Sequence, residues 1–526
     1  MKKLSLWITG LAFTATACAQ QNPTALKYSK VINPTDARKH LSILASDEFE
    51  GRETGKPGAE KAANYIAAEF KRLGLQAPVK GSYFLEVPLT QSTLTVSALN
   101  INGQDFTNWK DFVFQGSNGD LKVNATEIVF VGYGTADEIA GADLAGKVVL
   151  WINEDKPEEG KTANTSYRMS TARQAIVKAM QAKKPALILG VNEGLSKLLA
   201  RFNGVNPSGS ASISLKKGEA AAADVVSPVF MVTGPVADAA VKATGKTFAD
   251  LKAAAATAKQ TQVIKTTASV SATSTKTDVK AVDVLGFMPG SDPKLKNEVL
   301  VFSAHYDHIG LVTKPGATDK VNNGADDDGS GTTGILEIAR AFSQAKKDGK
   351  GPRRSVLFLG NVGEEKGLLG SEWYTDHPVF PLANTIADLN IDMIGRVGEE
   401  YVGKPDSANY VYSIGSAMLS TDLHKIGEEA NNTYTKMKLD YKYDDPNDPN
   451  RFYYRSDHYN FARYGVPIIF YFNGVHADYH APGDEVSKIN FPLLVKRAQL
   501  AFFTGWELAN RDARPVVDVK PATPSK

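Results

Sequence analysis

The chain has 526 residues, of which 42% are hydrophobic and 22% are charged, a balance typical of soluble globular proteins. This length exceeds that of one ordinary domain, so two or more domains are expected. The net charge of +2 argues against nucleic acid or an anionic membrane surface as the partner. Specificity must therefore come from a local site.

The N-terminus is typical of an export signal, which we predict at residues 1–19. Two lysines precede a short apolar run at 4–17, and small residues that suit cleavage follow it. The run is too short to span a bilayer, and no other segment predicts a span. Cys18 is the only cysteine, which excludes an internal disulfide. Lipid anchoring at Cys18 and plain signal cleavage both stay open, so the exported protein is expected to be periplasmic, an outer-membrane lipoprotein or secreted.

The composition and the hydrophobic pattern of the sequence change along the chain. Residues 58–73 predict an amphipathic helix that ends at Gly74. Buried strands are predicted from about 127 onward, and 207–277 is rich in Ala, Ser, Thr and Lys without any histidine. We predict a discontinuous catalytic domain at 24–118 and 278–510, a β-rich insert at 119–277, and a disordered tail at 511–526.

After residue 280, strand and helix patterns alternate. Apolar runs at 298–304, 355–360, 386–391 and 466–472 alternate with helical segments at 331–346, 366–376, 418–430 and 493–509. This alternation predicts an α/β fold in which a mostly parallel central sheet is flanked by helices.

Metal-ligating residue types follow the ends of these strands. In open α/β sheets, functional groups collect at the carboxyl ends of the strands. The candidate ligands are His305, Asp326, Glu365, Asp392 and His480. Imidazole and carboxylate ligands suit Zn²⁺, and a shared carboxylate can bridge two ions about 3.5–4 Å apart. The sequence therefore predicts a site for two Zn²⁺ ions, with Asp326 as the bridging ligand.

Other residues near these ligands have predicted supporting roles. Asp307 lies two residues after His305 and is expected to orient its imidazole. Glu364 is free to act as general base and acid while Glu365 binds a metal. Tyr479 is either a hydrogen-bond donor to a tetrahedral oxyanion or an aromatic residue at the rim. Taken singly, each motif is also compatible with an ordinary turn or helix start.

These motifs resemble the co-catalytic zinc aminopeptidases, the superfamily that also includes glutamate carboxypeptidase II, glutaminyl cyclases and the transferrin receptor. The resemblance extends over about residues 36–510 and begins at the segment 44–52, Leu-Ala-Ser-Asp-Glu-Phe-Glu-Gly-Arg. It implies that one zinc takes His305 and Asp392, the other Glu365 and His480, with Asp326 shared. It also implies a cis peptide between Asp326 and Asp327, with Asp327 in a supporting position. The segments 129–134 and 146–150 make the insert similar to a protease-associated domain.

The function that these features favour is an exported zinc aminopeptidase acting on peptides. A dipeptidase or carboxypeptidase could use the same metals, because recognition of a free amine cannot be read from the sequence. A glutaminyl cyclase is disfavoured by the large insert and the Glu364–Glu365 pair. A non-catalytic receptor-like protein should have lost ligands, and none is missing. The preferred residue and the oligomeric state stay open.

Overall fold

The computed structural model describes residues 21–114, 120–157, 166, 169–202, 211–216, 226–313 and 316–520. The predicted export signal and Cys18 lie outside these described residues. The helices are α1 (Pro23–Ser29), α2 (Pro34–Leu44), α3 (Pro57–Leu73), α4 (Ala136–Ala140), α5 (Thr171–Gln181), α6 (Glu193–Phe202), α7 (Gly234–Val241), α8 (Phe248–Thr257), α9 (Gly329–Lys347), α10 (Leu369–Asp376), α11 (Thr421–Ala430), α12 (His458–Ala462) and α13 (Phe491–Asn510). The strands are β1 (Phe84–Glu86), β2 (Leu89–Val96), β3 (Leu99–Ile101), β4 (Gln104–Phe106), β5 (Phe112–Phe114), β6 (Leu121–Ala125), β7 (Ile128–Phe130), β8 (Val148–Ile152), β9 (Leu187–Val191), β10 (Ala211–Leu215), β11 (Val229–Val232), β12 (Gln262–Ile264), β13 (Ala268–Val279), β14 (Val282–Met288), β15 (Val299–His305), β16 (Ser355–Asn361), β17 (Thr385–Ile391), β18 (Tyr410–Ile414), β19 (Lys438–Asp440) and β20 (Ile468–Phe472).

The chain divides into two compact units. One comprises the residues up to Leu89 together with Val279–Lys526, and the other comprises Thr90–Asp278. The first unit is built on an eight-stranded sheet of order β1-β14-β16-β15-β17-β20-β18-β19. Its four central strands, β16, β15, β17 and β20, run parallel. The pairs β1–β14, β14–β16 and β18–β20 are antiparallel, and β19 pairs parallel with β18. The predicted α/β fold is therefore confirmed.

The central strands are buried on both faces, which explains their continuous apolar runs. Every residue of β15, β16 and β17 is buried. Helix α9 is buried over most of its surface, and Asp328 caps its start by accepting a hydrogen bond from the Gly331 amide at 2.8 Å. Helix α13 is also mostly buried. The loops that follow the central strands converge on one edge of the sheet, where the candidate ligands lie.

The second unit contains two sheets. One has the order β10-β2-β13-β3-β4, with β6 also paired to β13, and the other has the order β12-β7-β8-β9-β11-β5. The unit begins at Thr90, whereas the predicted insert begins at 119, because β2, β3 and β5 pair with later strands of this unit and β4 pairs with β3. Its interpretation as a protease-associated domain stays a prediction.

The predicted disorder of the C-terminal tail is wrong for residues 511–520. The Asp518 carboxylate accepts hydrogen bonds from the Thr421 amide, at 2.8 Å, and from the Thr421 hydroxyl. Arg514 donates to the carbonyls of Ala383 and Thr385, both at 2.9 Å. Polar side chains hold this stretch, so apolar periodicity could not reveal it. Residues 521–526 lie outside the described residues.

Across the part of the chain that the structure describes, none of the helices has the length and apolar character needed to cross a membrane.

Candidate metal centre

The candidate ligands meet at the carboxyl ends of the parallel strands. His305 is the last residue of β15, and Asp392 directly follows β17. Glu364 and Glu365 lie in the loop after β16, and His480 lies in the loop after β20. Four neighbouring strands therefore supply side chains to one edge of the sheet, as expected for an open α/β fold.

Asp327 lies at the centre of this group. One of its carboxylate oxygens, Oδ1, is 3.4 Å from Nε2 of His305, which is itself 3.7 Å from Oδ1 of Asp392. The other oxygen, Oδ2, is 3.2 Å from Nε2 of His480, which is 3.1 Å from Oε2 of Glu365. One carboxylate thus faces two separate clusters, each with one histidine and one further acid.

Asp326, which the sequence analysis names as the bridging ligand, does not face these clusters. Its Oδ1 accepts hydrogen bonds from the Gly395 amide at 2.6 Å and from the Ser330 hydroxyl at 2.9 Å. Its Oδ2 lies 3.3 Å from Nε2 of His476. The prediction is therefore wrong by one residue, and Asp327 occupies the position predicted for Asp326.

The backbone around the three consecutive aspartates explains this shift. The cis peptide bond joins Asp327 and Asp328, not Asp326 and Asp327. The amides of Asp326 and Asp327 both donate to Oδ2 of Asp484, at 2.9 and 3.1 Å. With the loop held in this way, the carboxylate of Asp327 points toward His305 and His480, and those of its neighbours bond to backbone amides.

The imidazole of His305 is oriented through its Nδ1 atom. This atom lies 3.1 Å from the backbone carbonyl of Asp307, whereas the Asp307 carboxylate is 3.8 Å away. That carboxylate instead accepts hydrogen bonds from the Thr54 hydroxyl at 2.6 Å and the Glu364 amide at 3.2 Å. Asp307 therefore orients His305 with its main chain and ties the strand end to the glutamate loop with its side chain. In the neutral imidazole, donation from Nδ1 leaves the lone pair on Nε2, the atom that lies nearest Asp327.

Glu364 lies beside the first cluster. Its Oε2 is 3.8 Å from Nε2 of His305, and 12% of its side chain is exposed, so solvent and substrate can reach it. Burial raises the pKa of the Glu364 carboxyl well above its ordinary value. A raised pKa is what a carboxyl group needs to take up and release a proton near neutral pH.

Glu365 differs from its neighbour because histidines contact it. Burial and the Asp327 carboxylate act to raise the pKa of Glu365, but hydrogen bonds from His308 and His480 outweigh both and lower it to about 2. Nδ1 of His308 lies 2.7 Å from Oε1 of Glu365. Two adjacent glutamates thus have opposite protonation preferences, which suits one to binding a cation and the other to moving a proton.

His308 is the residue of this site that sequence reasoning missed. It is buried, and together with Asp327 and Glu365 it forms a group whose ligand atoms lie within 4.8 Å of one another. His305, Glu364 and Asp392 form a second such group. Its position three residues after His305 is visible in the sequence, but nothing there shows that the chain turns back toward the glutamate loop.

The residues present fit a pair of divalent cations. Among the described residues, Nε2 of His305 and Oδ2 of Asp327 are buried and make no well-aligned hydrogen bond within the chain. A buried lone pair and a buried carboxylate oxygen without hydrogen bonds are costly unless they bind a cation. Histidine nitrogen and carboxylate oxygen form a donor set typical of zinc.

A small pocket with both apolar and charged lining residues opens beside the acids of the site. Met393, Phe452, Phe470, Phe472, Val475 and Tyr479 line it together with Asp327, Glu364, Asp392 and Arg455. The Tyr479 ring stacks on His480 with 3.9 Å between ring centroids, and its hydroxyl accepts a hydrogen bond from Arg455 at 3.2 Å. Burial raises the pKa of the Tyr479 phenol, so it stays a neutral donor. Its action on an oxyanion stays a prediction.

Arg52 is a buried residue that holds together the segments around the site. It is 1% exposed, and its guanidinium donates to the carbonyls of Tyr306, Leu44, Asn323 and Gly324 at 2.8, 2.7, 2.6 and 2.9 Å. These carbonyls belong to the residue that follows β15, to helix α2 and to the loop before the aspartates. One buried cation therefore ties together the segments that carry His305 and Asp327.

Replacing Arg52 with glutamine is expected to reduce the free energy of unfolding by at least about 3 kcal/mol, because several buried carbonyls lose their donor. Urea unfolding of the metal-free protein would measure the loss. Arg451→Gln, at an exposed arginine, is the matched control and should change little. A loss below about 1 kcal/mol in Arg52→Gln would contradict the role of this residue.

Part of the sequence is similar to known peptidases. The model of Peptidase family M28 matches residues 283–504, which include the strands and loops of the site. Leucine aminopeptidase 1 of Fusarium vanettenii is 28% identical over 237 residues, which are 44% of this chain and 55% of that protein. The chain thus spans about half the length of this curated relative.

Two solved structures share the fold. An aminopeptidase from Aneurinibacillus sp. strain AM-1 is 19% identical, with a TM-score of 0.56 over 95% of this chain and 100% of that one. A zinc aminopeptidase from Bacillus subtilis is 18% identical, with a TM-score of 0.50 over 93% of this chain and 98% of that one. At these identities the likeness shows the fold alone. The match to the model of Peptidase family M28 covers the four central strands and the loops that carry the candidate ligands, which is less than half of this chain.

Proposed function

We propose that this chain is an exported zinc-dependent aminopeptidase that hydrolyses N-terminal residues from peptides. The observation that carries the proposal is the position of Asp327 between two histidine–carboxylate clusters, with Glu364 beside one of them. The match of residues 283–504 to the model of Peptidase family M28 supports it, as do the names of two similar proteins, a leucine aminopeptidase and a zinc aminopeptidase.

The chain would hold two zinc ions. His305 and Asp392 would bind one ion, Glu365 and His480 the other, and Asp327 would bind both. When bound, the ions would polarise the scissile carbonyl and lower the pKa of a water molecule. Glu364 would accept a proton from this water and deliver it to the leaving amine. The raised pKa of Glu364 and its access to solvent support this assignment.

The lining of the pocket favours an apolar N-terminal side chain. Met393, Phe470 and Phe472 present apolar surface next to the acids, and burying such a side chain is worth about 1.5–3 kcal/mol. A panel of aminoacyl amides with free and blocked amino groups tests the function directly. We expect cleavage of free leucyl and phenylalanyl substrates and none of their blocked forms. Preferential cleavage of blocked peptides at the carboxyl end would overturn it.

A dipeptidase is the second candidate, and one residue favours it. Arg455 lines the same pocket, is exposed, and lies over the Phe452 ring at 4.7 Å. A guanidinium at this position would attract the carboxylate of a short substrate. Such recognition would place the free carboxyl group close to the scissile bond, as it is in a dipeptide.

Replacing Arg455 with methionine separates the two candidates. If Arg455 binds a substrate carboxylate, kcat/KM for Leu-Leu is expected to fall about tenfold or more, while kcat/KM for leucinamide stays near the wild-type value. Equal effects on both substrates would contradict carboxylate recognition. Lys488→Met, at a lysine that does not line the pocket, is the matched control.

Export and the nature of the insert are further parts of the proposal. The charged and apolar pattern of residues 1–19 supports export. If Cys18 carries a lipid anchor, the Cys18→Ala variant should leave the membrane fraction; after plain cleavage the substitution should not change the fraction in which the protein is found. The two sheets of the second unit support a protease-associated domain at about 119–277.

A further inference from the structure

A line of buried polar side chains leads from Asp392 into the interior of the sheet. The Ser456 hydroxyl lies 2.7 Å from Oδ2 of Asp392, and Nδ2 of Asn390 lies 2.8 Å from that hydroxyl. The Ser303 hydroxyl lies 2.9 Å from Oδ1 of Asn390 and 2.8 Å from Oδ1 of Asp388. All five residues are at most 6% exposed. We call this set the Asp388–Asp392 chain.

The strand geometry explains why these residues meet. Asp388, Asn390 and Asp392 alternate along and just beyond β17, so their side chains share one face of the sheet. Ser303 lies on the neighbouring strand β15, directly opposite Asn390. Ser456 lies in the segment before α12. The sheet therefore holds a buried acid at one end of the chain and a candidate zinc ligand at the other.

A count of hydrogens constrains the protonation of this chain. It has four contacts, but the two serine hydroxyls and the one amide donor of Asn390 supply only three hydrogens. Turning the Asn390 amide over does not change this number, because one end of the amide always donates and the other always accepts. For all four contacts to be hydrogen bonds, the fourth hydrogen must come from a carboxylic acid at one end.

The two terminal carboxyl groups, Asp388 and Asp392, differ in their ability to keep a proton. Asp392 faces His305 at 3.7 Å, and a metal ligand must be deprotonated. Asp388 is fully buried, and among the described residues its second oxygen, Oδ2, has no hydrogen-bond partner. An ionised carboxylate with an oxygen in this state would be very costly.

We infer that Asp388 is a neutral carboxylic acid whose proton fixes the direction of the whole chain. Asp388 donates to Ser303, Ser303 to Asn390, Asn390 to Ser456, and Ser456 to Oδ2 of Asp392. The hydrogen bond that Oδ2 accepts holds the Asp392 carboxylate with Oδ1 toward His305. Asp388 is thus a positioning residue for a candidate zinc ligand that it does not touch.

The electrostatic surroundings of Asp388 agree with a neutral acid. Burial raises the pKa of its carboxyl well above the ordinary value, and the negative charge of Asp457 adds to this rise. Tyr374 also interacts with Asp388, and burial raises the pKa of its phenol, so this side chain stays neutral.

Infrared spectroscopy tests the protonation without reference to zinc. The difference spectrum between the full-length wild type and Asp388→Asn at neutral pH should contain the carbonyl band of a protonated carboxylic acid, lost in the variant. The asparagine side chain of this variant can donate to Ser303 through its amide, so the variant should fold. A carboxylate band in place of the acid band would overturn the inference.

Zinc affinity tests the positioning role, which rests on the proposed function. Ser303→Ala breaks the chain two residues from the end of β15, and we expect its zinc affinity to fall roughly tenfold. Asp388→Val, which has no donor, should lose zinc affinity, whereas Asp388→Asn, which keeps a donor, should retain most of it. Ser413→Ala, at a buried serine of β18, is the matched control. Wild-type affinity in Ser303→Ala would overturn the positioning role. Failure of the wild type to bind zinc would instead overturn the proposed function.

Discussion

Replacing Glu364 with glutamine is expected to lower kcat by at least about 10²-fold while the zinc content of the protein stays at the wild-type level. Glutamine has nearly the same shape as glutamate but cannot accept and return a proton. Glu364 lies 3.8 Å from Nε2 of His305, close enough to serve a substrate bound at this cluster. Steady-state kinetics together with metal analysis by mass spectrometry would measure both quantities.

The control for this experiment is Glu429→Gln, at a glutamate of α11 outside the site. It should leave kcat unchanged. Substantial activity in Glu364→Gln would rule out Glu364 as the proton carrier. Loss of zinc from that variant would instead mean that Glu364 binds the metal. The structure gives a reason to test this, because Glu364 lies in one potential ligand group with His305 and Asp392.

Replacing Asp327 with asparagine is expected to reduce zinc affinity by at least about 100-fold, because one carboxylate serves both clusters. Asp326→Asn should have little effect. Asparagine at 326 can still accept from the Gly395 amide and the Ser330 hydroxyl, so it preserves the local structure. Equilibrium dialysis of zinc against each variant would compare the two neighbours.

The opposite pattern would be informative. If Asp326→Asn lost zinc and Asp327→Asn retained it, the loop would have to adopt another conformation in the metal-bound protein, and the assignment made from the sequence would be correct. The pair of variants therefore tests a difference of a single residue in the register of the site.

The sequence predicts the central sheet well because its strands are buried on both faces. The runs at 298–304, 355–360, 386–391 and 466–472 correspond to β15, β16, β17 and β20. The antiparallel strands β1 and β14 were not predicted. β1 has only three residues, and in β14 a buried aspartate, Asp283, interrupts the apolar pattern. Edge pairing of this kind depends on tertiary contacts that no local pattern contains.

The types of residue that form the site could be predicted from the sequence, but not which of several neighbouring residues faces the ligand clusters. Three consecutive aspartates offer three carboxylates within one short loop, and the choice among them depends on backbone hydrogen bonds to Asp484, more than 150 residues away. His308 was missed for a similar reason, since its contact with Glu365 joins two loops at the ends of adjacent strands. Spacing along the chain predicts which strand ends carry ligands, whereas the fold decides which atoms meet.

The central claim is that Asp327 joins two zinc ions at the edge of the sheet. Anomalous diffraction from zinc-loaded crystals, recorded on both sides of the zinc absorption edge, tests this most directly. The account predicts two peaks about 3.5–4 Å apart. One should lie between His305 and Asp392 and the other between Glu365 and His480, each next to one oxygen of Asp327. A single peak, or a peak pair bridged by Asp326, would contradict it.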